Sequence, residues 1–305
     1  MGKRLFLFLL TNMAVLAVVR VLMMAFGLDA IPYSNGYGGM HYMPWQSVLA
    51  GAALMGFVGS IFSLAISKWM AKRSTGAEVI TAPRNEEEAW LLAIVRNQAN
   101  TKGLGMPEVA IFPSESPNAF ATGMFRNSAL VAVSSGLLRT MTRKQVEAVV
   151  GHEMSHIANG DMVTLTLLQG VLNTFVIFLS RVGGALVDSL LAGRGDDHEE
   201  RRGPGIGSFV VTMVLQLAFG FLASMIVAWF SRQREFRADA GGAALTSTDA
   251  MADALARLSG PKAALPGGLT AFGITEGGIA TWFASHPPIE VRIAALRDKR
   301  YDADS

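Results

Sequence analysis

Apolar residues in this 305-residue chain are not spread at a single period. They gather into four runs, at about 5–26, 48–66, 162–180 and 206–230. Each is long enough for a helix to cross a hydrocarbon core, which takes roughly 20 residues. Elsewhere the pattern shortens to that of a water-facing fold. Asn85 followed by Glu86, Glu87 and Glu88 predicts an N-cap with acids in the first turn, opening a helix "EEEAWLLAIVRNQANTKG" that stops at Gly103. Three β-type runs follow, "EVAIF", "NAFATGM" and "SALVAVS", separated by Pro113, Pro117 and a turn at Arg126 and Asn127. They predict a small sheet whose last two strands form a hairpin. Thr142, with Gln145 at the capping-box position, opens a helix that carries "QVEAVVGHEMSHIANG" to Gly160. Further helices are predicted at "SRQREFRADAGGAALTS", at 249–258 and at the proline-initiated "HPPIEVRIAALRDKR". The Gly- and Pro-containing stretch 260–278 is a loop or lid, or a plain linker. There are no internal repeats.

Composition narrows the class. The chain is 51% hydrophobic and only 16% charged, with a mean hydropathy of +0.36. That balance belongs to an integral membrane protein with a modest soluble part. A net charge of +2 without any basic run interleaved with aromatics excludes nucleic acid as a partner. The absence of cysteine excludes disulfides, thiolate metal sites and cysteine nucleophiles, so any metal is held by His, Asp or Glu.

Lys3 and Arg4 precede the first run, Arg20 interrupts it, and no small-residue cleavage site follows before Ile31. A retained signal anchor fits better than a cleaved signal peptide. The loop 27–46 has no Lys or Arg, whereas Lys68, Lys72 and Arg73 follow the second run. By the positive-inside rule both the N-terminus and the region after Lys68 are cytoplasmic. The third and fourth runs then form a second hairpin, with "AGRGDDHEERRGPG" outside. Gln169 and Asn173 in the third run serve interhelical hydrogen bonds or line a substrate path.

The stretch "AVVGHEMSHIANGDM" carries the chemistry. His152 and His156 lie one turn apart on one helical face, with Glu153 beside the first. This is the HExxH arrangement, in which two imidazoles bind zinc and the glutamate serves a metal-acidified water. A third ligand is needed, and the second membrane hairpin returns the chain to the same surface at "SRQREFRADA". There Glu235 and Asp239 share one helical face: one carboxylate to bind zinc, the other to fix the tautomer of a ligating histidine. The alternative is a charged surface turn paired with Arg232, Arg234 or Arg237. Asp161 is a rival ligand. His41 and His198 fall on the outer side, whereas His286 is inside. Pro287 and Pro288 hold it extended, suiting it to donate to an oxyanion or, equally, to a capping or surface role.

With "GHEMSH", "REFRAD", "SPNAFATG" and "SHPPIEVRI" arranged around two membrane hairpins, the chain closely resembles the HtpX heat-shock membrane metalloproteases, relatives of the CAAX prenyl endopeptidases and of the mitochondrial protease OMA. The resemblance covers nearly the full length. It implies one zinc per chain on His152, His156 and Glu235, Glu153 as general base and Asp239 as a supporting partner. It further implies Asn118, Ala119 and Phe120 on a substrate-pairing edge strand, with His286 stabilising the transition state. The expected fold is a mainly α-helical integral membrane protein: four transmembrane helices plus a cytoplasmic zincin-like α+β metalloprotease domain with a small β-sheet. Its parts are a membrane hairpin (1–68), a protease part (69–161), a second hairpin (162–230) and a second protease part (231–305). The implied activity is zinc-dependent hydrolysis of misfolded or damaged membrane proteins at the cytoplasmic face of the bacterial inner membrane, under stress, with self-cleavage. A protease dedicated to one substrate and a catalytically idle membrane chaperone or scaffold are the alternatives.

Overall fold

The structure, a computed structural model, describes residues 30–33, 41–192, 206–258 and 286–299. The first apolar run, His198 and the 260–278 stretch lie outside the described residues. Two short strands, β1 (Ala30–Tyr33) and β2 (His41–Pro44), pair antiparallel with Ala30 opposite Pro44. They fall in the stretch expected to be a plain loop, and at four residues each they are too short to show an alternation.

Three helices among the described residues are long and apolar enough to cross a membrane. They are α1 (Trp45–Thr75) and, further along the chain, two helices spanning Asp161–Ala192 and Ile206–Leu245. Each outruns its apolar segment: 31 residues of α1 at a rise of 1.5 Å extend about 46 Å, against a hydrocarbon core of about 30 Å. The expected break near Phe230 is absent, and the helix runs on through "SRQREFRADAGGAAL". The charges there mark a change of medium. Nothing in that stretch stops a helix: it has no proline, and its alanines and arginines offset the glycine pair at 241 and 242.

The chain divides into two compact units. In the first, residues 1–60 and 167–223, Gly56 and Gly170 let two helix backbones approach. A Cβ on Gly56 would lie 2.8 Å from the Gly170 carbonyl oxygen and the Thr174 nitrogen. Gln169 donates to Asn173 Oδ1 at 2.9 Å, and Asn173 Nδ2 reaches the buried Ser60 hydroxyl at 3.5 Å. Asn173 thus bonds across to the neighbouring helix, while Gln169 bonds within its own.

The second unit, 61–166 and 224–305, holds a four-stranded sheet in the order β3 (Glu78–Val79), β4 (Glu108–Phe112), β6 (Leu130–Ser134), β5 (Ala119–Thr122). Strands β4 and β6 are parallel and the other pairs antiparallel. The β5–β6 hairpin forms as expected, through a 3₁₀ turn at Arg126–Ser128, and leaves β5 at the sheet's edge. Ser134 N–H donates to the Asn118 carbonyl at 2.8 Å. Hydrogen-bonded pairs alternate along an antiparallel ladder, so the backbone groups of Ala119 and Ala121 face the open side.

Around the sheet pack α2 (Glu86–Thr101), α3 (Ser135–Thr140), α4 (Arg143–Asn159), α5 (Asp161–Ala192), α6 (Ile206–Leu245), α7 (Thr248–Leu258) and α8 (Ile289–Arg297). Only the parts of α5 and α6 within 161–166 and 224–245 belong to this unit. The core joins Leu91 and Val95 of α2, Val131 and Val133 of β6, Val150 and Met154 of α4, and Met251 and Leu255 of α7. The sequence sets both ends of α4. Thr142 and Gln145 form the full capping box, and Gly160, at φ 66°, supplies the left-handed residue that turns the chain into α5.

Helix α4 meets α6 backbone to backbone at glycines. A Cβ on Gly242 would stand 2.9 Å from the His152 nitrogen and 3.1 Å from the Ala148 carbonyl oxygen, and one on Gly241 would run into Ser155. Helix propensity alone favours Ala over Gly by about 1 kcal/mol. Overpacking costs about 1–3 kcal/mol, so packing decides. Gly242→Ala should therefore lower the melting temperature and the zinc retained after purification. An equal or higher melting temperature would show that the helices do not approach this closely.

Candidate metal centre

The close approach of α4 and α6 brings two histidines one turn apart on α4 together with Glu235, which lies far along the sequence on α6. His152 and His156 present their Nε2 atoms 3.1 Å apart, with the rings edge to face. Glu235 of α6 reaches both, with Oε1 3.3 Å from His156 Nε2 and Oε2 3.6 Å from His152 Nε2. All three residues are buried. Two donors at about 2.05 Å in tetrahedral array around zinc stand about 3.3 Å apart, which is the spacing found here. Two imidazoles and a carboxylate form a zinc donor set, and these residues fit a single ion.

The outer nitrogens of both rings meet acids. His156 Nδ1 lies 2.7 Å from Asp161 Oδ2. Asp239 Oδ1 lies 2.9 Å from His152 Nδ1 but off the ring N–H axis, so that contact is an ion pair before it is a hydrogen bond. Arg292 of α8 clamps Asp239 with two bonds, Nε to Oδ2 at 2.8 Å and NH2 to Oδ1 at 2.6 Å, and stands 3.4 Å from Glu235 Oε2. Arg234 donates to the Asp161 carbonyl at 2.8 Å. Burial opposes the charged form of His152, but its contacts with Asp239 and Glu235 outweigh that and raise its pKa to about 10 without metal. His156 is raised in the same way: burial opposes, Asp161 and Glu235 prevail, and the neighbouring His152 offsets part of the gain. Burial also opposes the charge on Arg292, and Asp239 overcomes it.

Residues 85–300 match the profile of peptidase family M48. The chain belongs to that family. Among curated M48 relatives, it is 55% identical over 300 residues to the "Protease HtpX homolog" of Variovorax paradoxus, covering 98% of this chain and all of the relative. It is 51% identical over 299 residues to "Protease HtpX" of Stenotrophomonas maltophilia, covering 97% and 98%. The fold resembles the crystal structure of S. mikatae Ste24p, with a TM-score of 0.60 at 17% identity over 81% of this chain and 58% of that one. The chain is a membrane metalloprotease, and zinc is the metal of its family.

Of the site residues expected from sequence, Glu153 is half-buried on the turn between the two histidines, and its charge is felt by His156 and Arg292. His286 lies beside the metal centre: its Nδ1 is 2.7 Å from Glu235 Oε2 while 64% of its side chain is exposed. Asn118 precedes β5, and Ala119 and Phe120 open it. Phe120 turns away from α4 and packs on Phe112 on the other sheet face, ring centroids 5.4 Å apart. Sequence reasoning missed Arg292, whose signal was a lone arginine on the apolar helix "IEVRIAAL", and treated Asp161 as a rival ligand although it faces the far nitrogen of His156.

Zinc must displace the protons held here. Apparent zinc affinity should rise with pH across the neutral range, by about tenfold per unit for each proton displaced, as measured by chelator competition. Metal-free stability runs the opposite way. The His152 contribution is complete below its ordinary 6.5 and is lost as pH climbs toward 10. A pH-independent zinc affinity would contradict this arrangement.

Proposed function

We propose that the chain is a zinc endopeptidase of the bacterial inner membrane that cuts misfolded or damaged membrane proteins at the cytoplasmic face. The observation that carries this is the open edge of β5, packed against the helix that bears the two histidines. An edge strand takes up an extended peptide through backbone hydrogen bonds, with little regard to sequence. Such recognition suits unfolded clients of many kinds. The cytoplasmic assignment is supported by Lys68, Lys72 and Arg73 at the end of α1.

When bound, zinc would polarise the scissile carbonyl and acidify a water at the open coordination position. His152, His156 and Glu235 would hold the ion, while Asp239 and Asp161 orient the imidazoles from behind. Glu153 accepts the proton of the attacking water and delivers it to the leaving nitrogen. The outward backbone groups of Ala119 and Ala121 align the substrate, so Phe120 contributes through its place in the strand rather than through its ring. In its doubly protonated form the His286 ring donates Nδ1–H to Glu235, which fixes its orientation, and Nε2–H to the developing oxyanion.

Purified protein loaded with zinc should cleave casein and, slowly, itself. Glu153→Gln should lower that rate at least about 100-fold while keeping zinc, and Glu235→Ala should lose the zinc. Casein left intact by the wild-type protein would support the idle scaffold instead. Trapping with Glu153→Gln in cells should capture many membrane proteins, and a single captured protein would support the dedicated processing protease.

Ala121→Pro provides a separate check on the edge strand. Proline is tolerated where a strand's N–H faces solvent, so zinc content and melting temperature should hold while cleavage falls. Unchanged cleavage would remove β5 from substrate alignment.

A further inference from the structure

The tip of the β5–β6 hairpin is held from two sides by residues of the second unit that border the apolar runs of α1 and α5. On one side Thr122 donates to the Ser67 hydroxyl at 3.0 Å, and Lys68 Nζ donates to the Ser128 carbonyl at 2.9 Å. Ser67 and Lys68 follow directly on the apolar run of α1, whose Ile61 and Phe62 are exposed. On the other side the Arg126 guanidinium lies against Gly160, with NH2 3.1 Å from where a Cβ would stand, and Met124 shares a small concavity with Met162 and Val163 at the start of α5. The hairpin turn is thus tied on one side to residues where the apolar run of α1 ends and on the other to residues where that of α5 begins.

The tip presents Phe125 with 66% of its surface exposed, a costly place for a phenyl ring in water. On α1, one and two residues beyond Lys68, Trp69 (59% exposed) and Met70 are also exposed, with the Arg73 guanidinium 5.8 Å from the Trp69 ring centroid. Arg126 and Arg73 are exposed cations there, while the nearby acid Glu108 is held by Lys68 at 2.8 Å and Lys72 at 3.2 Å. An aromatic and basic surface continuous with membrane-crossing helices matches the headgroup layer of an anionic bilayer.

We propose that the β5–β6 tip is a membrane-docking wedge, with Phe125 entering the headgroup layer and Arg126 and Arg73 set against lipid phosphates. This rests on α1 and α5 crossing the membrane, and it does not depend on the chain being catalytically active. It deepens the proposed function in one respect. Thr122, at the tip end of β5, then lies at the bilayer surface, so a segment leaving the lipid meets the open edge at once.

The chain has no cysteine, so Phe125→Cys and Glu115→Cys can each carry one nitroxide, Glu115 lying at the opposite end of β5 with a side chain 93% exposed. In nanodiscs of phosphatidylethanolamine and phosphatidylglycerol, the label at 125 should be protected from a water-soluble nickel chelate and open to oxygen, and the label at 115 the reverse. Equal nickel accessibility would overturn the proposal, and this measurement stands even if the protein proves not to be a protease. With an active protein, Phe125→Asp should cut a bilayer-embedded substrate in proteoliposomes about tenfold more slowly, yet cleave casein in detergent at the wild-type rate. Equal loss on both substrates would mean that Phe125 contacts peptide rather than lipid.

Discussion

The structure depends on keeping a carboxylate ionised where water cannot reach it. Glu235 is 3% exposed, and a lone buried carboxylate would either take up a proton or unfold its surroundings. It is kept charged by two imidazoles on α4, by His286 and by Arg292. These partners come from two segments of chain other than the one that carries Glu235, so the charge is satisfied only when α4, α6 and the stretch of α8 have docked. Breaking such a buried pair from one side typically costs about 3–5 kcal/mol, a large share of a domain's stability. The same contacts that prepare a metal site therefore also fasten the C-terminal helix to the rest of the unit.

Close helix packing makes this geometry attainable. Carboxylates on α6 reach both histidines because Gly241 and Gly242 let its backbone lie against α4 near Gly151 and Ser155. Larger side chains would hold the axes farther apart, and the spacing would no longer suit one ion. The "AGG" that follows "REFRAD" thus belongs to the site as much as the ligands do, although it has no donor atoms.

Much of this was legible in the sequence because it rested on local rules. The spacing of His152 and His156, the capping box at Thr142, the β5–β6 hairpin and the pairing of Glu235 with Asp239 on one helical face all follow from the periods of helix and strand. Strands of two to four residues, such as β1, β2 and β3, are too short to display a period. The unbroken course of α6 was hidden because charge was read as an end signal, when it marked only the edge of an apolar medium. The bond of His286 to Glu235 and the clamp of Arg292 on Asp239 join segments more than fifty residues apart. Local periodicity carries no trace of such contacts.

The division of the metal centre between α4 and α6 also bears on biogenesis. A chain still on the ribosome that has made α4 holds two imidazoles and no third donor, because α5 and the whole apolar part of α6 must be synthesised before Glu235 appears. Arg292, near the end of the chain, comes later still. A donor set built in this order is complete only once α5 and α6 have been made, so no partial chain ending before Glu235 can hold an ion on all three residues.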